Sequence, residues 1–276
     1  MTRVSASTVR LIATDLDGTL LRPDKTVSPR VRAALDLARS HGVITVIVTA
    51  RPPLTARVFA EMAGVDGIVI CANGAIIYDV ASNSMVTHRT LDFDAARALV
   101  AAMRERLPGI TFGAVQGEGF SAEPAYFAVA TREDHGAQLD HLHVCDADLF
   151  WDRPLTKLVM RHVDIHPTAL LTHVRDLGLT GFEVNYSGAP FVEIVGGGIS
   201  KGQALAEFCA ERDISADQVV AFGDAPNDLP MLRWAGHGVA IGDHFPEVVE
   251  AADEAAPSSA DDGVAIVIER LFGVTS

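Results

Sequence analysis

An apolar run ends in two carboxylates within Leu11-Ile12-Ala13-Thr14-Asp15-Leu16-Asp17-Gly18-Thr19-Leu20. On a strand of period two, Asp15 and Asp17 project from one face and address one site. Leu16 points the other way, and Gly18 lets the backbone turn sharply and come close to a ligand. Two like charges at this spacing favour protonation of one or capture of a cation. Taken alone, the same residues also make an ordinary Asp-Gly turn after a strand. Other groups with suitable chemistry follow along the chain: Thr49 and Arg51, the pair Asn73-Gly74, Lys201 after Gly198-Ile199-Ser200, and Gly223-Asp224-Ala225-Pro226-Asn227-Asp228. Asp228 lies one helical turn beyond Asp224 and can face the same site.

The elements that must position these groups alternate between strand and helix. Ser28-Pro29 has the chemistry of a helix start, and Val31, Ala34, Leu35 and Ala38 recur at helical spacing. A β-branched strand over 43–48, a helix over 54–62 and a strand over 68–71 complete a βαβαβ pattern, which predicts a parallel, doubly wound (Rossmann-like) α/β sheet. Such sheets bind ligands at the carboxyl ends of their strands, where Asp15, Thr49 and Asn73 fall. From 84 to 189 the rhythm changes to helices at 91–107 and 167–177 among short strands at 110–115, 125–129, 155–161 and 181–186. This segment is predicted to be an α+β module inserted into a core formed by 1–83 and 190–276. The core is expected to resume with a strand at 191–195, a helix from Lys201, a strand at 219–222 ending at Gly223-Asp224, and a final helix at 263–272 capped by Asp262.

The 276 residues carry a formal net charge of −14, which opposes the electrostatic footprint of nucleic-acid binding. An anionic ligand would therefore need local positive charge, from a metal ion or from lysine and arginine. No apolar run reaches bilayer length, and Met1–Ser7 lack a signal-like apolar region, so neither membrane insertion nor export is expected and a cytoplasmic location is. Cys71, Cys145 and Cys209 are widely spaced, as expected of reduced core thiols. The run Gly196-Gly197-Gly198-Ile199-Ser200-Lys201 is followed by Gly202 where a Walker phosphate loop needs Ser or Thr. His141 with His143, and His162 with His166, lack a third metal ligand.

The ordered set Asp15-x-Asp17-Gly-Thr, Thr49, Lys201 and Gly223-Asp224-x-x-Asn227-Asp228 resembles the haloacid dehalogenase superfamily, in particular its Cof-type phosphatases with a C2B-type cap. Ala50 stands where many relatives carry glycine. The resemblance implies an Mg2+-dependent hydrolase of a small phosphorylated metabolite such as a sugar phosphate, working as a monomer or homodimer through an aspartyl phosphate. It assigns Asp15 as nucleophile, Asp17 as general acid and base, and Thr49 and Lys201 as phosphate partners. Asp15, the Asp17 carbonyl, Asp224 and Asp228 would hold the metal, while Arg51, Asn73 and Asn227 would contact substrate. A phosphosugar mutase and a non-catalytic phosphometabolite-binding protein are the competing readings on the same fold.

Overall fold

A computed structural model describes residues 8–135 and 142–273, so Met1–Ser7 and His141 lie outside the described residues. The chain runs through β1 (Leu11–Thr14), α1 (Pro29–Ser40), β2 (Ile44–Val48), α2 (Pro53–Ala63), β3 (Ile68–Cys71), β4 (Ile76–Asp79) and β5 (Ser84–His88). It then passes through α3 (Phe93–Arg106), β6 (Thr111–Gln116), β7 (Gly119–Ala122), α4 (Pro124–Phe127), α5 (Arg132–His135), β8 (Leu142–Val144), β9 (Lys157–Arg161), α6 (Pro167–Arg175), β10 (Phe182–Asn185) and β11 (Val192–Gly196). It returns through α7 (Lys201–Ala210), β12 (Val219–Gly223), α8 (Leu229–Trp234), β13 (His237–Ile241), α9 (Pro246–Ala251), β14 (Glu254–Ala256) and α10 (Gly263–Phe272).

The first sheet has the order β14-β13-β12-β1-β2-β3-β4-β5, parallel from β14 to β3. Its central strands β1 and β12 are buried on both faces. In β1, Ile12 packs with Leu35, Val267 and Ile268 on one side, whereas Leu11 and Ala13 pack with Leu205, Phe208 and Met231 on the other. Period-two alternation between two helical layers explains why this strand reads as a continuous apolar run. Truncating Ile12 to alanine in such a core costs about 2–5 kcal/mol. The chain direction of assembly reverses between β1 and β12, so their carboxyl ends open one crevice.

The second sheet has the order β10-β11-β9-β6-β7-β8 and is antiparallel except where β7 meets β8. One face buries Phe112, Leu158, Met160, Val192 and Ile194 against α3 and α6. The alternate residues, including Val115, Lys157, Val159 and Glu193, face the crevice of the first sheet.

Strand pairing moves both expected limits of the insert. Ser84–His88 still pairs with β4 in the first sheet, and Val192–Gly196 pairs with β9 and β10 in the second. The chain thus changes sheets after His88 and returns after Gly196, not at 84 and 189. The run at 191–195 reads like a parallel core strand because helices cover one of its faces and the first sheet's crevice lies against the other; periodicity alone does not tell the two apart. The expected strand at 125–129 is helical over Pro124–Phe127, since Pro124 presets the first helical φ. Asp262 stands at the start of α10 at φ 60°, but its carboxylate accepts from Arg22 and caps no helix N–H. All three cysteines are free and buried. Among the described residues, no helix is long and apolar enough to cross a membrane.

Candidate active site

Asp15 extends the β1 ladder by one residue, its N–H donating to the Phe222 carbonyl at 3.0 Å. That bond fixes its nearly buried carboxylate beside the end of β12. Lys201 opens α7, where Ser200 accepts from the Gln203 N–H at 3.1 Å. A Cβ at Gly202 would lie 2.4 Å from the Pro230 carbonyl oxygen, so only glycine allows α7 to start this close to α8. From there the Lys201 Nζ reaches Asp15 Oδ1 at 2.8 Å and Asp228 Oδ1 at 2.6 Å. Asp228 Oδ2 in turn accepts from the N–H groups of Asp224 and Ala225, both at 3.0 Å. Thr19 Oγ1 donates to Asp224 Oδ1 at 2.5 Å. Gly18 has φ +81°, and a Cβ on it would sit 2.2 Å from Asp224 Oδ2.

Electrostatics follow from this crowding. Burial pushes Asp15 up to about 7; Lys201 opposes the shift and the neighbouring Asp228 and Asp17 add to it. Burial, then Asp15 and Asp228, raises Asp224 to about 8, against the Thr19 hydrogen bond and Lys201. For Lys201, burial disfavours the charge, but Asp15 and Asp228 outweigh it and hold the ammonium protonated. One carboxylate oxygen from each of Asp15, Asp224 and Asp228 lies within 4.8 Å of the others. Three hard oxygen donors, with glycine leaving space at Gly18, fit a magnesium ion. Both oxygens of Asp228 already accept hydrogen bonds, so its share falls to remaining lone pairs and to orienting Asp224.

Asp17 stands apart from that corner. Its carboxylate takes a bidentate pair from Arg51, at 2.6 and 2.7 Å, and a third bond from Lys25 at 2.8 Å. Burial would raise its pKa, but Arg51 and then Lys25 overcome this and hold it at about 2. Arg51 also lies over the Phe59 ring, 4.6 Å from its centroid. Buried Thr49 accepts the Arg51 N–H through its Oγ1 at 3.1 Å, which leaves its own hydroxyl hydrogen to donate.

The two asparagines expected to touch substrate differ in placement. Asn227 lines the cavity; Asn73 is fully buried and does not. Asn73 accepts from Asn227 Nδ2 at 2.9 Å and donates to Glu193 Oε2 at 3.2 Å. The Asn227 N–H donates to the Tyr186 carbonyl at 3.2 Å. Glu193 pairs with Lys157, whose Nζ also donates to the Ala50 carbonyl at 2.9 Å. A buried polar chain thus ties the second sheet to the turn at Ala50 in the first.

Between the sheets lies a cavity of about 460 Å³ lined by Asp15, Asp17, Thr49, Arg51, Asp224 and Asn227 on one side. Lys157, Glu193, Phe120, Phe191 and Tyr186 line the other. Sequence reasoning assigns no role to Thr19, Lys25, Lys157 or Glu193. The last two do leave a signal, as single charges inside apolar strands, where an unpaired charge is too costly to bury.

The sequence pattern of the haloacid dehalogenase-like hydrolase family matches residues 12–268. A pyridoxal phosphate phosphatase of Escherichia coli is 31% identical over 256 residues, covering 85% of this chain and 88% of that protein. A 5-amino-6-(5-phospho-D-ribitylamino)uracil phosphatase of Bacillus subtilis is 25% identical over 272 residues, covering 96% and 98%. The crystal structure of a haloacid dehalogenase-like hydrolase from Bacteroides thetaiotaomicron superposes with a TM-score of 0.76 at 27% identity, covering 96% of this chain and 100% of that one.

Proposed function

The chain belongs to the haloacid dehalogenase-like hydrolases, and from that membership we propose a magnesium-dependent phosphomonoesterase that acts on a small phosphorylated metabolite through an aspartyl phosphate on Asp15. The observation that carries this reading is Asp15 lining the cavity in contact with Lys201 and within 4.8 Å of oxygens of Asp224 and Asp228. Asp15, Asp224, the Asp17 carbonyl and, behind them, Asp228 would hold the cation, which when bound neutralises charge on the phosphoryl oxygens.

The chain's own groups supply the rest. Lys201 holds one Asp15 oxygen, which leaves the other to attack phosphorus in line as the ester P–O bond breaks. The Thr49 hydroxyl hydrogen is placed to donate to a phosphoryl oxygen. An arriving phosphate dianion competes with Asp17 for Arg51 and Lys25. Once those partners are drawn away, burial favours a proton on Asp17, which it gives to the departing alkoxide; it later takes one from the water that hydrolyses the acyl phosphate.

The test is phosphate release from a broad panel of phosphate esters by the purified chain in magnesium. Absence of release across the panel, or undiminished turnover by Asp15→Asn, refutes the reading.

A further inference from the structure

The walls of the cavity above the phosphate corner are aromatic. His135 stacks on Phe191, with centroids 5.0 Å apart and planes at 8°, and lies 5.0 Å from Phe120. The Tyr126 hydroxyl meets His135 Nε2 at 3.1 Å and orients that ring. On another side Tyr186 meets Phe245 edge-on, with centroids 5.9 Å apart. Val115 and Val159 fill the space between strands.

Most polar groups of this compartment are committed to one another, the buried Oδ1 of Asn227 being an acceptor without a partner among the described residues. Glu193 Oε1 takes Lys157, and its Oε2 takes Asn73 Nδ2 and Ser187 Oγ, both at 3.2 Å. Lys157 spends two of its three hydrogens on Glu193 and the Ala50 carbonyl. Among the described residues the third has no acceptor.

We propose that the organic part of the substrate is a flat heteroaromatic ring, bound between these walls with one acceptor atom of its edge on Lys157; this rests on the phosphatase reading above. A ring needs no hydrogen bonds over its faces and gains dispersion and quadrupole contact from both walls. A sugar phosphate, the class expected from sequence, brings several hydroxyls, each of which needs a partner once water is excluded, and the wall has few partners to give. Lys157 sits where the ring compartment meets the Thr49-Ala50 turn, so its spare donor can read the ring edge nearest the phosphate.

The experiment compares kcat/KM of the full chain in magnesium for pyridoxine 5′-phosphate, which has such a ring and no aldehyde to react with lysines, against glucose 6-phosphate and sorbitol 6-phosphate. The ring ester is expected to be preferred at least about tenfold. Phe191→Leu, and as a second variant Phe120→Leu, should lower the ring-to-sugar ratio about tenfold by removing stacking while keeping apolar volume. Equal or better turnover of the sugar esters, or a ratio unmoved in both variants, overturns the inference and leaves the phosphatase reading standing. Calorimetric binding of the same esters to Asp15→Asn separates the two in the other direction: ring preference in binding without any turnover by the unsubstituted chain would sink the phosphatase reading alone, and binding without ring preference would sink the inference.

Discussion

At the carboxyl ends of β1 and β12 three charged groups are positioned by backbone: Asp15 by the ladder, Lys201 by the start of α7, and Asp224 by the N–H bonds that Asp228 accepts. Across the cavity the wall of the second sheet is built from side chains: Phe120, Lys157 and Glu193 project from β7, β9 and β11, and His135, Tyr186 and Phe191 come from segments flanking the strands. The corner carries charges whose pKa values crowding displaces, whereas the wall carries almost none that are unpaired. The contrast separates two tasks. Phosphoryl chemistry needs groups fixed to within fractions of an ångström, which strand ends and helix starts provide; selection of an organic group needs a shape that can change without disturbing them.

That contrast can be broken most directly at the nucleophile. Asp15→Asn should abolish turnover, by a factor of about 10³ or more in kcat, with circular dichroism unchanged, because Lys201 keeps Asp228 as a partner. Substantial residual activity would mean that the corner is not where chemistry occurs. Lys201→Met should act on the fold as well. It leaves Asp15 and Asp228 buried without their cation, a loss of about 3–5 kcal/mol in denaturant unfolding. A loss below about 1 kcal/mol would show that the corner tolerates unpaired charge and differs less from the wall than its geometry implies.

Metal and pH give the next test. Asp15 and Asp224 bind protons in the metal-free fold up to about 7 and 8, above the ordinary carboxylate value of 3.8. Their contribution to stability is therefore complete below pH of about 4 and is lost as pH rises through about 7 to 8. Magnesium replaces those protons, so its stabilisation should grow with pH and reach about 2.7 kcal/mol at a hundredfold excess over Kd. Thermal melts at pH 6 and 8.5 with and without magnesium read this directly. A magnesium shift equal at both values contradicts the assignment. The smallest effect is expected at Thr49→Val, which removes one donor to phosphate: about tenfold in kcat/KM, or ~1.4 kcal/mol, with the second sheet and its substrate preference untouched.

Much of the corner is legible in the sequence. The two-faced burial of β1 favours apolar residues at Leu11, Ile12 and Ala13, and the carboxylate of Asp15 stands just past the strand's end; both are properties of adjacent residues. The placements of Asp15, Lys201, Asp224 and Asp228 in one corner follow from strand ends that a doubly wound sheet aligns. Other features are hidden for equally physical reasons. Asp17 reads as a free acid, yet Arg51 and Lys25 converge on it from 34 and eight residues away. Asn73 reads as a substrate contact beside its turn, yet it is enclosed between Asn227 and Glu193. The strand at Val192–Gly196 reads as part of the core sheet because burial, not partner identity, writes the local pattern.

What the sequence determined by itself was the reactive inventory and the strand ends that carry it, since residue type and period are local and the backbone geometry of a strand terminus is nearly invariant. Only the tertiary structure decided which charges neutralise one another and which rings line the cavity. Those outcomes depend on pairs such as Lys157 with Glu193 and His135 with Phe191, 36 and 56 residues apart, and such partners are chosen by strand pairing and packing around the second sheet, not by spacing along the chain.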